Sequence, residues 1–333
     1  MKKVLYYDCF CGISGDMNLA ALIDLGVPKE YLMQELSKIN LNSEYEIRIE
    51  RSGKLGIIGT RVDVILKDKL HDKTHSSEQA LHGHNHEHYH HNSDEEQHYD
   101  ENNHSHEGND NNQEHQHRNF KDIEEIINSS DLSDKVKKLS LGMFMKVAEA
   151  EAKVHGKTLY EVHFHEVGAI DSIVDMVGAA ICLDYLKVDK IIASPVQVGG
   201  GFVRCAHGLI PVPAPATVEI LKNIPINTGI VQFETTTPTG AAILAANAHE
   251  FNPKVDFSIK KIAYGIGHRD LEIPNVLRVY LGEKGSSEKV GEQYILETNI
   301  DDMKKIIERL DYKIERYEQA VVTKENELKR RDD

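Results

Sequence analysis

Val4-Leu5-Tyr6-Tyr7-Asp8-Cys9-Phe10-Cys11-Gly12-Ile13-Ser14-Gly15-Asp16-Met17 stands close to the start of the chain. The apolar run Val4 to Tyr7 reads as a strand and Asp8 to Gly15 as a loop. Asp16 to Leu25, with Leu19, Leu22 and Ile23 on one face and Gly26 as its stop, reads as a helix. A strand feeding a helix through a short loop indicates mixed α/β structure, and such junctions lie where α/β proteins bind ligands. Gly12 and Gly15 permit close backbone approach, and a helix N-terminus attracts an anion such as phosphate. No Gly-Lys-Ser/Thr follows, so this is not a Walker loop. Asp8, Ser14 and Asp16 become candidate ligand-binding residues. A helix capped by Ser14 or Asp16, with glycines that serve only the turn, explains the same string.

Working outward, Pro28 opens a second helix, Lys29 to Ile39, and two strands follow, Tyr45 to Glu50 and Gly59 to Leu66. Helices resume at Phe120 to Asn128, Leu132 to His155 and Asp171 to Leu186, the last apolar enough to be deeply buried. Ala193 to Pro215, rich in Gly and Pro, reads as loop and short strand. Helices at Ala216 to Asn223 and Thr239 to His249 alternate with strands near Ile259 to Tyr264 and Val276 to Leu281. The pattern predicts an α/β (mixed α+β) fold: an N-terminal α/β lobe over 1–66 and a central α/β domain over 119–285. Between them lies a disordered His-rich insert, 67–118, and a last segment, 286–333, ends in a charged helix.

The insert carries the most unusual composition. His71 to His117 holds 13 of the chain's 19 histidines and no cysteine, so metal binding is the first property to consider. They recur in close spacing, as His82, His84, His86, His88, His90 and His91, then His104 and His106, then His115 and His117. Imidazole suits Ni, Zn, Cu and Fe, while the missing Cys argues against Cu(I) and against a structural zinc finger. Reversible binding of a late first-row divalent metal is expected; a disordered polar insert that happens to be His-rich is the plainer alternative. The segment has too little apolar content to fold alone.

Net charge is -15, of which 12 acids against three bases in Asp68 to Arg118 supply -9. That acidity disfavours nucleic acid and anionic membranes as partners. No run of about 18 apolar residues suggests a membrane span and no signal-peptide pattern opens the chain, so a cytoplasmic location is expected. Four cysteines, Cys9, Cys11, Cys182 and Cys205, do not make a disulfide framework in 333 residues.

Further strings carry chemistry. In His163-Phe164-His165-Glu166-Val167-Gly168-Ala169-Ile170-Asp171, extended backbone puts His163 and His165 on one face, able to share a metal or act on a substrate. Two histidines bonded to backbone in the turn before a helix would look the same. Val198 to Gly208 sets three glycines beside Arg204, Cys205 and His207, and Arg204 fits a phosphate or carboxylate. Glu234 to Gly240 is a hydroxyl-rich turn whose Thr235 and Thr236 suit phosphate oxygens or simply precede a helix cap. Tyr264-Gly265-Ile266-Gly267-His268-Arg269-Asp270 again places Gly beside His and Arg, with Arg269 a candidate for phosphate.

Together these strings resemble the LarC-type nickel insertion proteins. The carrying residues are Asp8 to Met17, His163 to Asp175, Ser194 to Thr217, Glu234 to Ala242, Tyr264 to Asp270 and Glu297 to Asp302, with a His-rich insert between the first two. The resemblance implies a lyase-type nickel chelatase. It would insert Ni(II) into pyridinium-3,5-bisthiocarboxylic acid mononucleotide, with CTP and a divalent cation required. The product holds nickel between two sulfurs and a ring carbon and serves enzymes such as lactate racemase. In the family, Glu297-Thr298-Asn299-Ile300-Asp301-Asp302-Met303 opens a C-terminal domain associated with CTP. Here 30 residues follow, so a domain of that size is not expected. Their Ile307, Leu310, Ile314, Tyr317 and Val321 keep the spacing of one charged amphipathic helix, suited to self-association into a homo-oligomer. The chain is expected to be an N-terminal product that works with a separate C-terminal domain chain, or the product of a degraded gene.

Forming a carbon–nickel bond removes a ring proton, which calls for a general base. His163, His165, Glu166 and His207 are the catalytic candidates; Asp8, Asp16, Asp171 and Asp175 orient them or hold a cation. Two functional classes follow. One is a nickel-inserting enzyme; the other is a nickel metallochaperone or store in which the His-rich segment is the whole function.

Overall fold

The structure is a computed structural model that describes residues 1–67, 118–162, 164, 169–205, 208–285, 310–321 and 324. Two compact units are present, Met1–Gly285 and Ser286–Asp333. In the second, residues 310–321 form a helix whose side chains are exposed, among them Leu310, Ile314, Tyr317 and Val321.

In the first unit the strands are β1 (Lys2–Asp8), β2 (Tyr45–Lys54), β3 (Ile57–Leu66), β4 (Lys190–Ala193), β5 (Val196–Gln197), β6 (Phe202–Cys205), β7 (Gly208–Pro211), β8 (Ile226–Asn227), β9 (Glu250–Phe251), β10 (Ser258–Ile266) and β11 (Val276–Lys284). The helices are α1 (Gly15–Asp24), α2 (Lys29–Leu36), α3 (Phe120–Ser129), α4 (Asp134–His155), α5 (Ile170–Leu186), α6 (Pro215–Ile220) and α7 (Pro238–Asn247).

Val4 to Tyr7 are all buried, which an apolar run achieves only where both faces of a strand are covered. Accordingly β1 lies inside a seven-stranded sheet of order β2-β3-β10-β11-β1-β4-β9. It is antiparallel to β11 and parallel to β4. Leu5 and Tyr7 face the main core, while Val4 and Tyr6 join Ile192, Phe257 and Tyr280 in a small cluster on the other side. The main core is built by α1, which packs on β3, β10 and β11, and by α5, which is surrounded by α1, α2, α4, α7 and β3. Every residue of α5 from Ser172 to Leu183 is buried, in keeping with its apolar sequence.

The mixed α/β class is the one expected. The sheet, however, alternates strands from the two sides of the insert: β1, β2 and β3 precede it, and β4, β9, β10 and β11 follow it. Residues 1–66 and 119–285 therefore share one sheet and one core. Periodicity assigns elements but not their partners, which is why the insert read as a boundary between lobes. Strand β4, only four residues long, falls almost wholly in the stretch between Leu186 and Ala193, to which the sequence pattern assigned no element. The β2–β3 pair continues further than expected, into a two-residue turn at Leu55 and Gly56 with φ of 46° and 85°. Two positive φ values match the twist of a tight hairpin.

The His-rich residues 68–117 lie outside the described residues. Those on either side share one partner, because the Lys67 amide donates to the Glu44 carbonyl (3.0 Å) and Arg118 donates to the Glu44 carboxylate (3.0 Å). The ends of the insert are thus joined by the folded unit itself. Replacing Lys69 to His117 with a short linker should change stability by no more than about 0.5 kcal/mol, the usual range away from packed features. Thermal unfolding in metal-free buffer measures this, and loss of a cooperative transition would show the insert to be structural.

Candidate functional site

Strands β1, β3, β4, β9 and β10 run in one direction, so their carboxyl ends share an edge of the sheet, where ligands bind in open α/β sheets. At that edge the loop after β1 is locked to two others. The Cys9 amide donates to Ser194 Oγ (2.9 Å), the Gln197 amide to the Cys9 carbonyl (3.2 Å) and the Thr237 amide to the Ile13 carbonyl (3.1 Å). Thr235 and Thr236 are buried, and both hydroxyls donate to the Gln197 carbonyl, at 2.9 and 2.6 Å. The hydroxyls expected to meet phosphate therefore tie the 234–237 turn to β5. Their number was legible in the sequence; the direction of their protons was not. Thr237 caps α7, accepting from the Gly240 amide at 3.2 Å.

Asp8 closes β1 and faces Arg278 across the strand pair. Arg278 donates from Nε (2.9 Å) and Nη2 (2.6 Å) to Asp8 Oδ2, and Tyr280 Oη lies 3.3 Å from the same oxygen. The guanidinium also covers the rings of Phe10 and Tyr280. Asp8 is thus charge-paired within the protein, which limits its part in holding a cation. Arg278 had no local signal, since it meets Asp8 only through strand pairing.

Ser14 occupies the N-cap position of α1 but its hydroxyl donates to Asp16 Oδ1 instead of capping the helix. Asp16 Oδ2 lies 3.0 Å from His268 Nε2, and His268 Nδ1 lies 3.2 Å from Asp63 Oδ1. Arg61 reaches Asp63 through Nε (3.2 Å) and Nη2 (3.1 Å), with Nη2 also 2.7 Å from His268 Nδ1. Pairing of Thr60 with Gly265, near the end of β10, lets β3 run on past β10 and brings Arg61 and Asp63 to His268. The hydrogen bond to Asp16, helped by the charges of Asp16 and Asp63, raises the His268 pKa above its ordinary value against the opposing effects of burial and Arg61. His268 stood in a string read for its glycines and Arg269, and it was not singled out.

Beneath this group Asp175 of α5 is 9% exposed, and its carboxyl presses on Gly15. Burial, then the charges of Asp16 and Asp171, push its pKa well above the ordinary carboxylate value. Asp175 Oδ1 has no hydrogen-bond partner among the described residues. Asp171 is in the first turn of α5, whose N-cap is Ala169.

Arg204 is exposed on β6, and Arg269 is exposed beside His268 with its carbonyl accepting from Asn275 Nδ2 at 3.2 Å. The structure does not join either to the Asp16 group through a described side-chain contact. His163, His165, Glu166 and His207 lie outside the described residues, as do the ten candidate metal histidines, His82 to His117. The Phe164 amide donates to the Arg118 carbonyl at 3.3 Å, which puts residue 164 against the residue that follows the insert. Among the described residues no three His, Cys, Asp or Glu are grouped to hold a metal ion. Cys9, Cys11 and Cys182 are buried free thiols, and burial pushes Cys11 up to about 11 and Cys182 to about 12, so neither is a ready thiolate ligand. No helix among the described residues is long and apolar enough to cross a membrane.

Residues 5–320 match the family model described as nickel insertion protein. Among similar proteins, one from Clostridium kluyveri is 74% identical over 301 residues, covering 90% of this chain and 67% of that protein. One from Clostridium acetobutylicum is 78% identical over 301 residues, covering 90% and 69%. One from Acetivibrio thermocellus is 44% identical over 304 residues, covering 90% and 66%. All three carry the name pyridinium-3,5-bisthiocarboxylic acid mononucleotide nickel insertion protein. The chain spans about two thirds of the length of these relatives. No solved structure matches it.

Proposed function

The chain belongs to the nickel insertion protein family, and on that premise we propose that it inserts Ni(II) into pyridinium-3,5-bisthiocarboxylic acid mononucleotide. The observation that carries this reading is identity of 74% and 78%, over nine tenths of the chain, with two relatives named for that reaction. Nickel and the mononucleotide are the substrates, CTP with a divalent cation is the co-substrate, and the reaction is of the lyase type. The chain spans about two thirds of the length of these relatives, and the CTP-dependent step is assigned in this reading to the part of them it does not span. The product serves pincer-dependent enzymes such as lactate racemase, and the protein works in the cytoplasm.

The thiocarboxylate sulfurs take nickel first. The ring carbon then bonds to nickel as its proton passes to a base, so one C–H bond breaks and one C–Ni bond forms with no change of oxidation state. His163, His165, Glu166 and His207 are the proposed bases, with Arg204 and Arg269 on the phosphate. The His-rich insert holds nickel in reserve.

Replacing both His163 and His165 with Ala should lower the rate of cofactor formation by about a hundredfold or more, the lower range for loss of general base catalysis. Total nickel bound should fall only slightly, because the insert carries most imidazoles. The assay is incubation with Ni(II), CTP and the precursor, followed by mass spectrometry and nickel counting. Unchanged formation would return both histidines to a structural role. A chain lacking Lys69 to His117 that loses all function at saturating nickel would instead favour a metallochaperone or store.

A further inference from the structure

Three separate parts of the chain meet at the His268 imidazole. Asp16 comes from the first turn of α1, Arg61 and Asp63 from the overhanging end of β3, and His268 from the loop after β10. Both imidazole nitrogens are engaged, which fixes the ring in two directions. The loop that carries it is fixed as well: the Gly267 amide donates to the Asn275 carbonyl (2.9 Å), and Lys54 Nζ donates to the His268 carbonyl (3.2 Å). Lys54 also pairs with Asp270. A loop that only connected two strands would need none of these side-chain bonds.

The consequence falls on Asp16. One carboxylate oxygen takes the Ser14 hydroxyl and the other takes His268 Nε2, so its plane is set while lone pairs remain for a ligand. Its side chain is 20% exposed and that of His268 46%, so solvent reaches the pair from one side. Asp175 is buried, with Oδ1 unpartnered among the described residues and its carboxyl against Gly15, the residue between Ser14 and Asp16. From the exposed side Asp16 can accept hydroxyl hydrogens offered by a ligand. A pyridinium ribonucleotide has that chemistry. Its ribose diol donates to a carboxylate, as ribose does to the acidic residue of dinucleotide folds, and its cationic ring favours an acidic corner.

We propose that His268 is a positioning residue for the mononucleotide, anchored by Asp63 and Arg61, and that it aims Asp16 at the ribose hydroxyls. The inference rests on the substrate class of the preceding section. His268 acts through Asp16 and does not itself touch the reacting carbon. Gln at position 268 keeps an N–H donor near the place of Nε2, whereas Ala removes it.

Titration calorimetry of the full chain with nicotinic acid mononucleotide, a pyridinium ribonucleotide, tests this, with inorganic phosphate as the second probe. His268→Ala should weaken mononucleotide binding about tenfold, the loss of one charge-assisted orientation. Phosphate binding should not change, and His268→Gln should return to within about threefold of the parent. Three results overturn the proposal: a parent chain that does not bind the mononucleotide, equal affinity in His268→Ala, or equal loss in both variants with a matching fall in thermal midpoint. Nickel insertion by the parent is read separately by mass spectrometry. Insertion that proceeds while calorimetry goes against His268 removes the positioning role and leaves the family reaction in place.

Discussion

Gly12→Ala is expected to destabilise the folded unit by about 3 kcal/mol or more, from two causes that add. Gly12 has φ of 79°, where an L side chain costs about 1 kcal/mol or slightly more. A Cβ there would stand 2.0 Å from the Thr235 carbonyl oxygen and 2.4 Å from its carbon, both backbone atoms. Relief would require the 234–237 turn to withdraw. That turn is tied to Gln197 by two hydroxyls and to Ile13 by the Thr237 amide. Overpacking against a backbone that cannot yield alone costs about 1–3 kcal/mol. Gly56→Ala is the internal comparison: φ is 85° but nothing lies within 4 Å of the added carbon, so only the conformational cost of about 1 kcal/mol applies. Thermal unfolding of both variants measures the difference. Equal shifts would mean that the three loops at the sheet edge do not interlock as described.

The same two glycines show what can be read from a sequence. Gly12 was legible as a residue that permits close approach, although glycines serving only the turn explained the same strand-loop-helix string. What approaches it was not, since Thr235 is brought there by the packing of α7 and not by any local pattern. Strand β1 and helix α5 were legible for a different reason, continuous apolar runs that only a double-sided environment can bury. The sheet order escaped, because β3 meets β10 through a single described register pair, Thr60 with Gly265. That one pairing carries Arg61 and Asp63 to His268, so the best-formed polar group in the described structure depends on a contact between distant parts of the chain. Asp16 was identified from its place at a helix start; its partners were not. Thr235 and Thr236 fall between these cases: the residue types suggested phosphate, and the hydrogen bonds to Gln197 show a second use for the same hydroxyls.

Nickel insertion by the 333-residue chain alone should be at least about a hundredfold slower than when the third of its relatives' length that it does not span is supplied as a separate polypeptide. The relatives named for the reaction are 74% and 78% identical here, yet the matched span is 67% and 69% of their length. The described residues offer, at the carboxyl edge of the sheet, a carboxylate, Asp16, oriented by Ser14 and His268 and proposed above for the mononucleotide. Among those residues no group of three ligands is arranged for a metal ion. Binding of the mononucleotide and insertion of the metal should separate, because the relatives named for the reaction extend beyond the span matched here. The chain alone should bind the mononucleotide as well as the complemented chain does, because the site proposed for it lies at the sheet edge of this chain. Its slow step should be the CTP-dependent one, since holding metal, ring carbon and base together is worth far more than holding any one of them. The measurement is a time course with Ni(II), CTP and precursor, with and without the missing third of the Clostridium acetobutylicum relative. A control without CTP separates assisted insertion from spontaneous thiocarboxylate binding, which forms Ni–S bonds but leaves the ring proton in place. Full turnover by the chain alone would refute the division and would place CTP, nickel and mononucleotide together within these 333 residues.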